Sequence, residues 1–211
     1  MRGFRLWQGC AAAAALCTMA THLSAAPISA TGVFTTDDQV ASISFSLSAP
    51  ATVTALTWSY AGGVNQAGTI IPQGGFDPWL AIFDAGGNLR ASVDNGTCGQ
   101  VPTDSVTGSC FDSYISQSLG AGTYTLVVSQ SDNQPVGSHL SDGYFWTGQP
   151  TFTSVYACSN GQFCDANGNN RTGDWAVDIL DVGAASVPEP GTLALVGVGL
   201  GSVCWMRRRK D

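Results

Sequence analysis

Residues 42–48 alternate without a break: Ile43, Phe45 and Leu47 are separated by Ser42, Ser44, Ser46 and Ser48. A period of two sends successive side chains to opposite faces, so this stretch predicts a half-buried strand. After the break at Ala49-Pro50 the pattern resumes with Thr54, Leu56, Trp58 and Tyr60, the set expected to face the core. A long glycine-rich connection then runs from Gly62 to Gly75, followed by an apolar run from Trp79 to Phe83 and a strand at Leu89 to Val93. Between them, Asp84-Ala85-Gly86-Gly87-Asn88 has turn chemistry: glycine supplies positive φ and asparagine tolerates it. Further strands are predicted at Phe111 to Leu119, Thr123 to Ser129, Tyr144 to Trp146 and Phe152 to Tyr156. The last is marked by Trp175, Val177 and Ile179, alternating with Asp174, Ala176 and Asp178. No helical period interrupts the series and nothing repeats at a fixed spacing. The expectation is an all-β fold, a single antiparallel β-sandwich of eight or nine strands, jelly-roll-like.

The two ends break this pattern. Arg2 and Arg5 precede an apolar run from Cys10 to Ala20, which leads into the small residues Ser24, Ala25 and Ala26. A basic start, a short apolar stretch and small residues predict a secretory signal peptide over residues 1–26. Pro27 disfavours cutting after Ala26, so the exact bond is left open. At the other end Val187-Pro188-Glu189-Pro190 is followed by an apolar run over 191–206 and then by Arg207, Arg208, Arg209 and Lys210. Such a run makes a helix of roughly 24 Å, and the terminal basic side chains can snorkel across the remaining hydrocarbon. A basic tail stays cytoplasmic, which puts residues 27–186 outside the inner membrane as one extracytoplasmic domain.

The C-terminal arrangement resembles the PEP-CTERM sorting signal of Gram-negative bacteria. Pro188-Glu189-Pro190, the glycine-, leucine- and valine-rich span and the basic end carry the resemblance, over residues 187–211. It implies a membrane-anchored intermediate whose signal is recognised by an exosortase, after signal peptidase has acted on the other end. It also implies a final place at the cell surface or in an exopolysaccharide or biofilm matrix.

Composition narrows the chemistry of the exported part. Between Pro27 and Pro190 the basic residues are Arg90 and Arg171 alone, against fourteen acids, a formal charge of −12. That surface repels nucleic acid and anionic lipid, and the segment contains no lysine. The chain has seven cysteines, of which Cys98, Cys110, Cys158 and Cys164 fall in this segment. An even number in an exported chain reads as disulfides, and zinc-type ligand spacing is absent. Of three connectivities, Cys98–Cys110 with Cys158–Cys164 is favoured because each closes a short loop.

A second resemblance covers the middle third. Gly75-Phe76-Asp77-Pro78-Trp79-Leu80-Ala81-Ile82-Phe83-Asp84, then Gly87-Asn88-Leu89, then Leu119 to Leu126, resembles DVUA0089-type exported domains. These are in turn similar to the pre-peptidase C-terminal β-sandwiches of secreted proteases, which implies an accessory rather than a catalytic module.

Catalytic readings find little support in the residues. Ser138, His139 and Asp142 are close in sequence, but a triad assembles its members from separate elements beside an oxyanion hole. Glutamate is missing outside the sorting motif, and aspartates at strand ends have a turn-forming role of their own. Calcium is the best chemical candidate. Asp165, Asn167, Asn169 and Asp174 set oxygens at intervals along a loop, although the glycine position and closing glutamate of an EF-hand are absent. A second candidate set is Asp77, Asp84 and Asp94, around the hairpin. Trp146 is the candidate glycan platform, and extracellular polysaccharide the candidate partner. Asn95-Gly96-Thr97 and Asn170-Arg171-Thr172 match the N-glycosylation pattern. The expectation is a non-catalytic exported protein, with a carbohydrate- or calcium-binding accessory module as the alternative and a secreted hydrolase behind it.

Overall fold

In the computed structural model the described residues are 26–182. The predicted signal peptide up to Ala25, the sorting motif at Pro188-Glu189-Pro190, the membrane helix over 191–206 and the basic tail Arg207 to Lys210 therefore lie outside the described residues. The described part contains ten strands: β1 (Ile28–Val33), β2 (Val40–Leu47), β3 (Ala51–Thr57), β4 (Gly63–Val64), β5 (Ile70–Ile71), β6 (Pro78–Asp84), β7 (Leu89–Val93), β8 (Tyr114–Leu119), β9 (Gly122–Gln130) and β10 (Asp174–Leu180). Two short 3-10 helices, Leu140–Asp142 and Phe152–Tyr156, complete the set. Eight of the strands build two four-stranded sheets, ordered β1-β10-β3-β8 and β2-β9-β6-β7, while β4 and β5 pair with each other. Every pairing between named strands is antiparallel.

One core is shared by both sheets, which is the packing of a sandwich. Phe45 and Leu47 of β2, Leu80 and Ile82 of β6, and Leu126 and Val128 of β9 come from one sheet. Val53 and Ala55 of β3, Ile115 of β8, and Val177 and Ile179 of β10 come from the other. The serine-spaced set in β2 faces inward as its alternation predicts, and Phe45 pairs across the ladder with Tyr124, ring on ring at 5.5 Å. Phe34, Phe76 and Phe163 extend the core in a row, with centroids 5.2 and 6.0 Å apart. Gly173 is required beside them, since a Cβ there would stand 2.0 Å from the Phe34 carbonyl oxygen.

Three expectations need correcting. In β3 the shared core takes Val53 and Ala55, one register away from the Thr54, Leu56, Trp58 and Tyr60 set. Leu56 lies on the opposite face, in a small cluster with Val101 and Cys110 and with Trp58 and Tyr114 packed against it. The loop stapled by Cys98–Cys110 covers Leu56 near the end of β3, so this strand buries an apolar side chain on each face and the pattern has two readings. Second, Tyr144 to Trp146 is a bridge and turn, and Phe152 to Tyr156 is a 3-10 helix. Here a buried side chain takes the place of a strand partner: Asp37 accepts from Thr153 N (2.9 Å), Thr153 Oγ1 and Phe163 N (2.6 Å). Third, β8 begins at Tyr114, because Asp112 and Ser113 are committed to loop hydrogen bonds. β1 was not anticipated; it pairs only with β10 and is merely half-buried, so its sequence alternates weakly.

Candidate functional site

Sheet order gathers the acidic residues. β6 runs between β7 and β9 in antiparallel register, with Leu80 opposite Val93 and Pro78 opposite Gln130. The residue before β6 and the residues after β7 and β9 must then emerge at one end of the strands: Asp77, Asp94-Asn95 and Ser131-Asp132. Ser131 N donates to the Asp77 carbonyl at 2.7 Å, and Ser131 Oγ donates to Asp94 Oδ1 at 2.9 Å. Tyr156 donates its hydroxyl proton to Asp132 Oδ2, and this contact pushes the phenol up to about 12. Asp132 holds a left-handed backbone, φ 68°, which aspartate tolerates better than most residues. Phe111 and the Cys164-Asp165-Ala166 segment close the far side of a cavity of about 150 Å³. No basic side chain lines it.

What sets this cavity apart is the state of its oxygens. Elsewhere the buried aspartates are fully engaged. Asp104 accepts from Val106 N, Thr107 N and Arg171; Asp112 from Thr57 Oγ1, Tyr60 N and Ala61 N; Asp178 from Ser29, Trp58 Nε1 and Gln66 N. Asp77 is 4 % exposed, yet its Oδ1 has no hydrogen-bond partner. Gln130, 1 % exposed, has an unpartnered Oε1, and Asn95 an unpartnered Oδ1. All three residues line the cavity. Burial, reinforced by the charges of Asp94, Asp112, Asp165 and Asp132, drives the Asp77 carboxyl well above the ordinary carboxylate range. Asp94 is raised chiefly by burial as well, against a hydrogen bond from Ser131.

The residues singled out from sequence are only partly brought together. Asp77, Asp94 and Asp165 share the cavity, whereas Asp84 sits at the far hairpin. Asp84 is held down to about 2 by the Asn88 backbone N–H and side chain, with Arg90 adding an ion pair. In the loop that follows Asp165, the oxygens are spent locally. Asp165 accepts from Asn167 N (2.9 Å), from Asn169 N and Nδ2, and from the Tyr60 hydroxyl (2.6 Å). Burial opposes ionisation there, but these donors prevail and Asp165 is lowered. Asp174 bonds Thr172 instead, at 2.8 Å. The loop is thus an Asx-type turn closed by its own aspartate. Among the described residues no three Asp, Glu, His or Cys side chains form a ready-made metal-binding group.

Both disulfides have the favoured connectivity: Cys98–Cys110, with Cα atoms 5.3 Å apart, and Cys158–Cys164, at 5.5 Å. Trp146 is half-buried and stacks one face on Phe152 at 5.1 Å. His139 spends both ring nitrogens locally, Nδ1 on Ser141 Oγ and Nε2 on the Gly86 carbonyl, each at 2.7 Å. It clamps the β6–β7 hairpin.

Residues 186–210 match the model of the PEP-CTERM protein-sorting motif. The motif marks an exported, exosortase-targeted protein whose sorting signal anchors it in the membrane of a Gram-negative cell. No curated protein matches the chain. Among the described residues no helix is long and apolar enough to cross a membrane.

Proposed function

We propose that this protein is a non-catalytic component of the cell surface or of an exopolysaccharide matrix. Signal peptidase trims its N-terminal end, and an exosortase processes it near Pro188-Glu189-Pro190. The sorting motif over 186–210 is the observation that carries the reading. Two disulfides suit an oxidising compartment. The non-catalytic part rests on His139, the one histidine of the exported segment, whose ring is wholly occupied in holding a turn. The order of the eight main strands, first-last-third-sixth in one sheet and second-seventh-fourth-fifth in the other, supports reading the sandwich as a jelly roll. A DVUA0089-like accessory domain fits the same arrangement, since the quoted motifs fall on β6, the hairpin and β9.

The test is intact mass and fractionation of the protein from hosts with and without the exosortase. Loss of the segment after about Pro190 only where the enzyme is present supports the reading. A C-terminal segment that persists in both hosts would leave a simple anchored surface domain. A second reading, glycan binding, draws on Trp146 beside the 54 % exposed Phe145. Titration with matrix polysaccharide, using Trp146→Ala as control, distinguishes it.

A further inference from the structure

We propose that the cavity at the common end of β6, β7 and β9 binds a calcium ion, with Asp77, Asp94, Asn95, Gln130 and Asp132 supplying oxygens. The proposal is independent of how the protein is sorted. It rests first on the orphaned atoms. Leaving a buried acceptor without a donor costs roughly 1–3 kcal/mol, so folded proteins seldom tolerate one, and three in one cavity call for a partner. These three are oxygens, Asp77 Oδ1, Asn95 Oδ1 and Gln130 Oε1. Two of the side chains are more than nine-tenths buried.

The second support is charge. Asp77, Asp94, Asp132 and Asp165 meet at the cavity without a cation among its lining residues. Both arginines of the described residues are engaged elsewhere, Arg90 with Asp84 and Arg171 with Asp104. A proton on Asp77 could relieve the repulsion but is a single donor, so at least one of the two amide oxygens stays unpartnered. A divalent cation relieves both. Carboxylates mixed with amide oxygens, in a space of about 150 Å³ that admits water as well, form a hard-cation set. Calcium takes six to eight oxygens with flexible geometry, whereas magnesium demands a tight octahedron and keeps its water. Zinc is disfavoured because no histidine or free thiol is present, Cys164 being disulfide-bonded. The carboxylates do not form a preorganised triad. Binding therefore turns Asp94 and Asp132 inward, Asp94 giving up the Asn95 side-chain amide and Asp132 the Tyr156 hydroxyl.

The experiment uses the purified full-length protein, freed of metal with EDTA and melted in calcium chloride, in magnesium chloride and in sodium chloride of matched ionic strength. Calcium is expected to raise the Tm well beyond the salt control, with magnesium close to that control. Asp77→Asn and Gln130→Ala should abolish the calcium-specific shift. Asp77→Asn should also melt higher than wild type without calcium, because a repelled buried charge is gone. A calcium effect no greater than sodium chloride, or one equal in wild type and Asp77→Asn, overturns the proposal, since it would then be screening of an acidic surface. Terbium provides a readout that survives a poorly folded variant. Emission sensitised through Tyr156 should rise on titration into wild type, fall on adding calcium, and drop severalfold in Tyr156→Phe. Emission that calcium cannot displace overturns the site.

Discussion

Arg171 lies over the ring of Tyr60, its guanidinium carbon 3.4 Å from the centroid, and its Nη2 also donates to the Tyr60 carbonyl. One of only two basic residues in the exported segment is thus buried, 6 % exposed, in the midst of an acidic domain. Nε donates to the Gly75 carbonyl at 3.1 Å, and Nη2 also donates to Asp104 at 3.0 Å. It ties together the end of β3, the glycine-rich connection, the Asp104 loop and the approach to β10. Cation–π contact and a fully buried ion pair are both strengthened by exclusion of water.

Breaking that pair from one side should be expensive. Asp104→Asn leaves a buried guanidinium without its counter-charge, and Arg171→Met leaves the carboxylate with the Val106 and Thr107 amides and the Thr107 hydroxyl but no cation. Each is expected to cost about 3–5 kcal/mol. The double variant should cost less than the sum by more than 1 kcal/mol, since neither charge is then stranded. Urea unfolding of the four proteins measures the coupling; strict additivity would mean that the two side chains act separately.

The same pair has a pH signature. Burial works against the Asp104 charge, but donation from Thr107 N, Arg171 and Val106 N outweighs it and lowers the carboxyl. A folded-state value below the unfolded one contributes stability above the unfolded range and loses it as pH falls through the folded value. The stability gap between wild type and Asp104→Asn should therefore be constant above about pH 5 and narrow below about pH 4. Denaturation midpoints from pH 2.5 to 7 test this; a gap that widens in acid would reverse the sign.

Part of the sandwich was legible from alternation. β2 buries one face and alternates cleanly, Tyr124, Leu126 and Val128 of β9 mark the core although Val127 is buried on the other face, and Asp84 to Asn88 is a turn by its chemistry. Legibility fails where side chains from loops replace strand partners, as Asp37 does for Phe152–Tyr156, and where a disulfide loop buries Leu56 on the outer face of β3. The cavity was half visible. Asp77, Asp94 and Asp165 stood out as oxygen donors, but grouping by sequence distance drew in Asp84 and Asp174. Asp132, Gln130 and Asn95 were missed because convergence depends on β6 lying between β7 and β9. The available signal was position: acids stand just before one predicted strand and just after two others.

The hairpin clamp gives a local prediction. Gly87 has φ 81°, and a Cβ there would stand 2.8 Å from the His139 ring. Gly87→Ala therefore combines a backbone penalty with a collision, and about 1–3 kcal/mol of destabilisation is expected. His139→Ala should cost roughly 1 kcal/mol through its exposed side-chain bonds to Ser141 and Gly86. In the His139→Ala background the Gly87→Ala cost should shrink, because only the backbone part remains. Hydrogen exchange at Leu89 and Leu140, whose amides donate across this junction to Ser138 and Gly87, reports the loosening directly.

The two disulfides should differ in what they protect. By loop entropy alone, opening Cys98–Cys110 costs roughly 3 kcal/mol and the shorter Cys158–Cys164 loop somewhat less, near 2.4 kcal/mol. The first bridge also fastens Val101 and Cys110 over Leu56 and Trp58. Releasing it exposes an apolar sheet face, and about 25 cal/mol is lost for each Å² uncovered. Cys98→Ser with Cys110→Ser should therefore lower the Tm more than Cys158→Ser with Cys164→Ser, and should bring binding of a hydrophobic dye and altered Trp58 fluorescence. The second pair of substitutions should leave Trp58 unchanged while loosening the turn around Asp165, which borders the acidic cavity. Equal losses of Tm, with no dye binding in either variant, would show that the covering loop keeps its place without its staple.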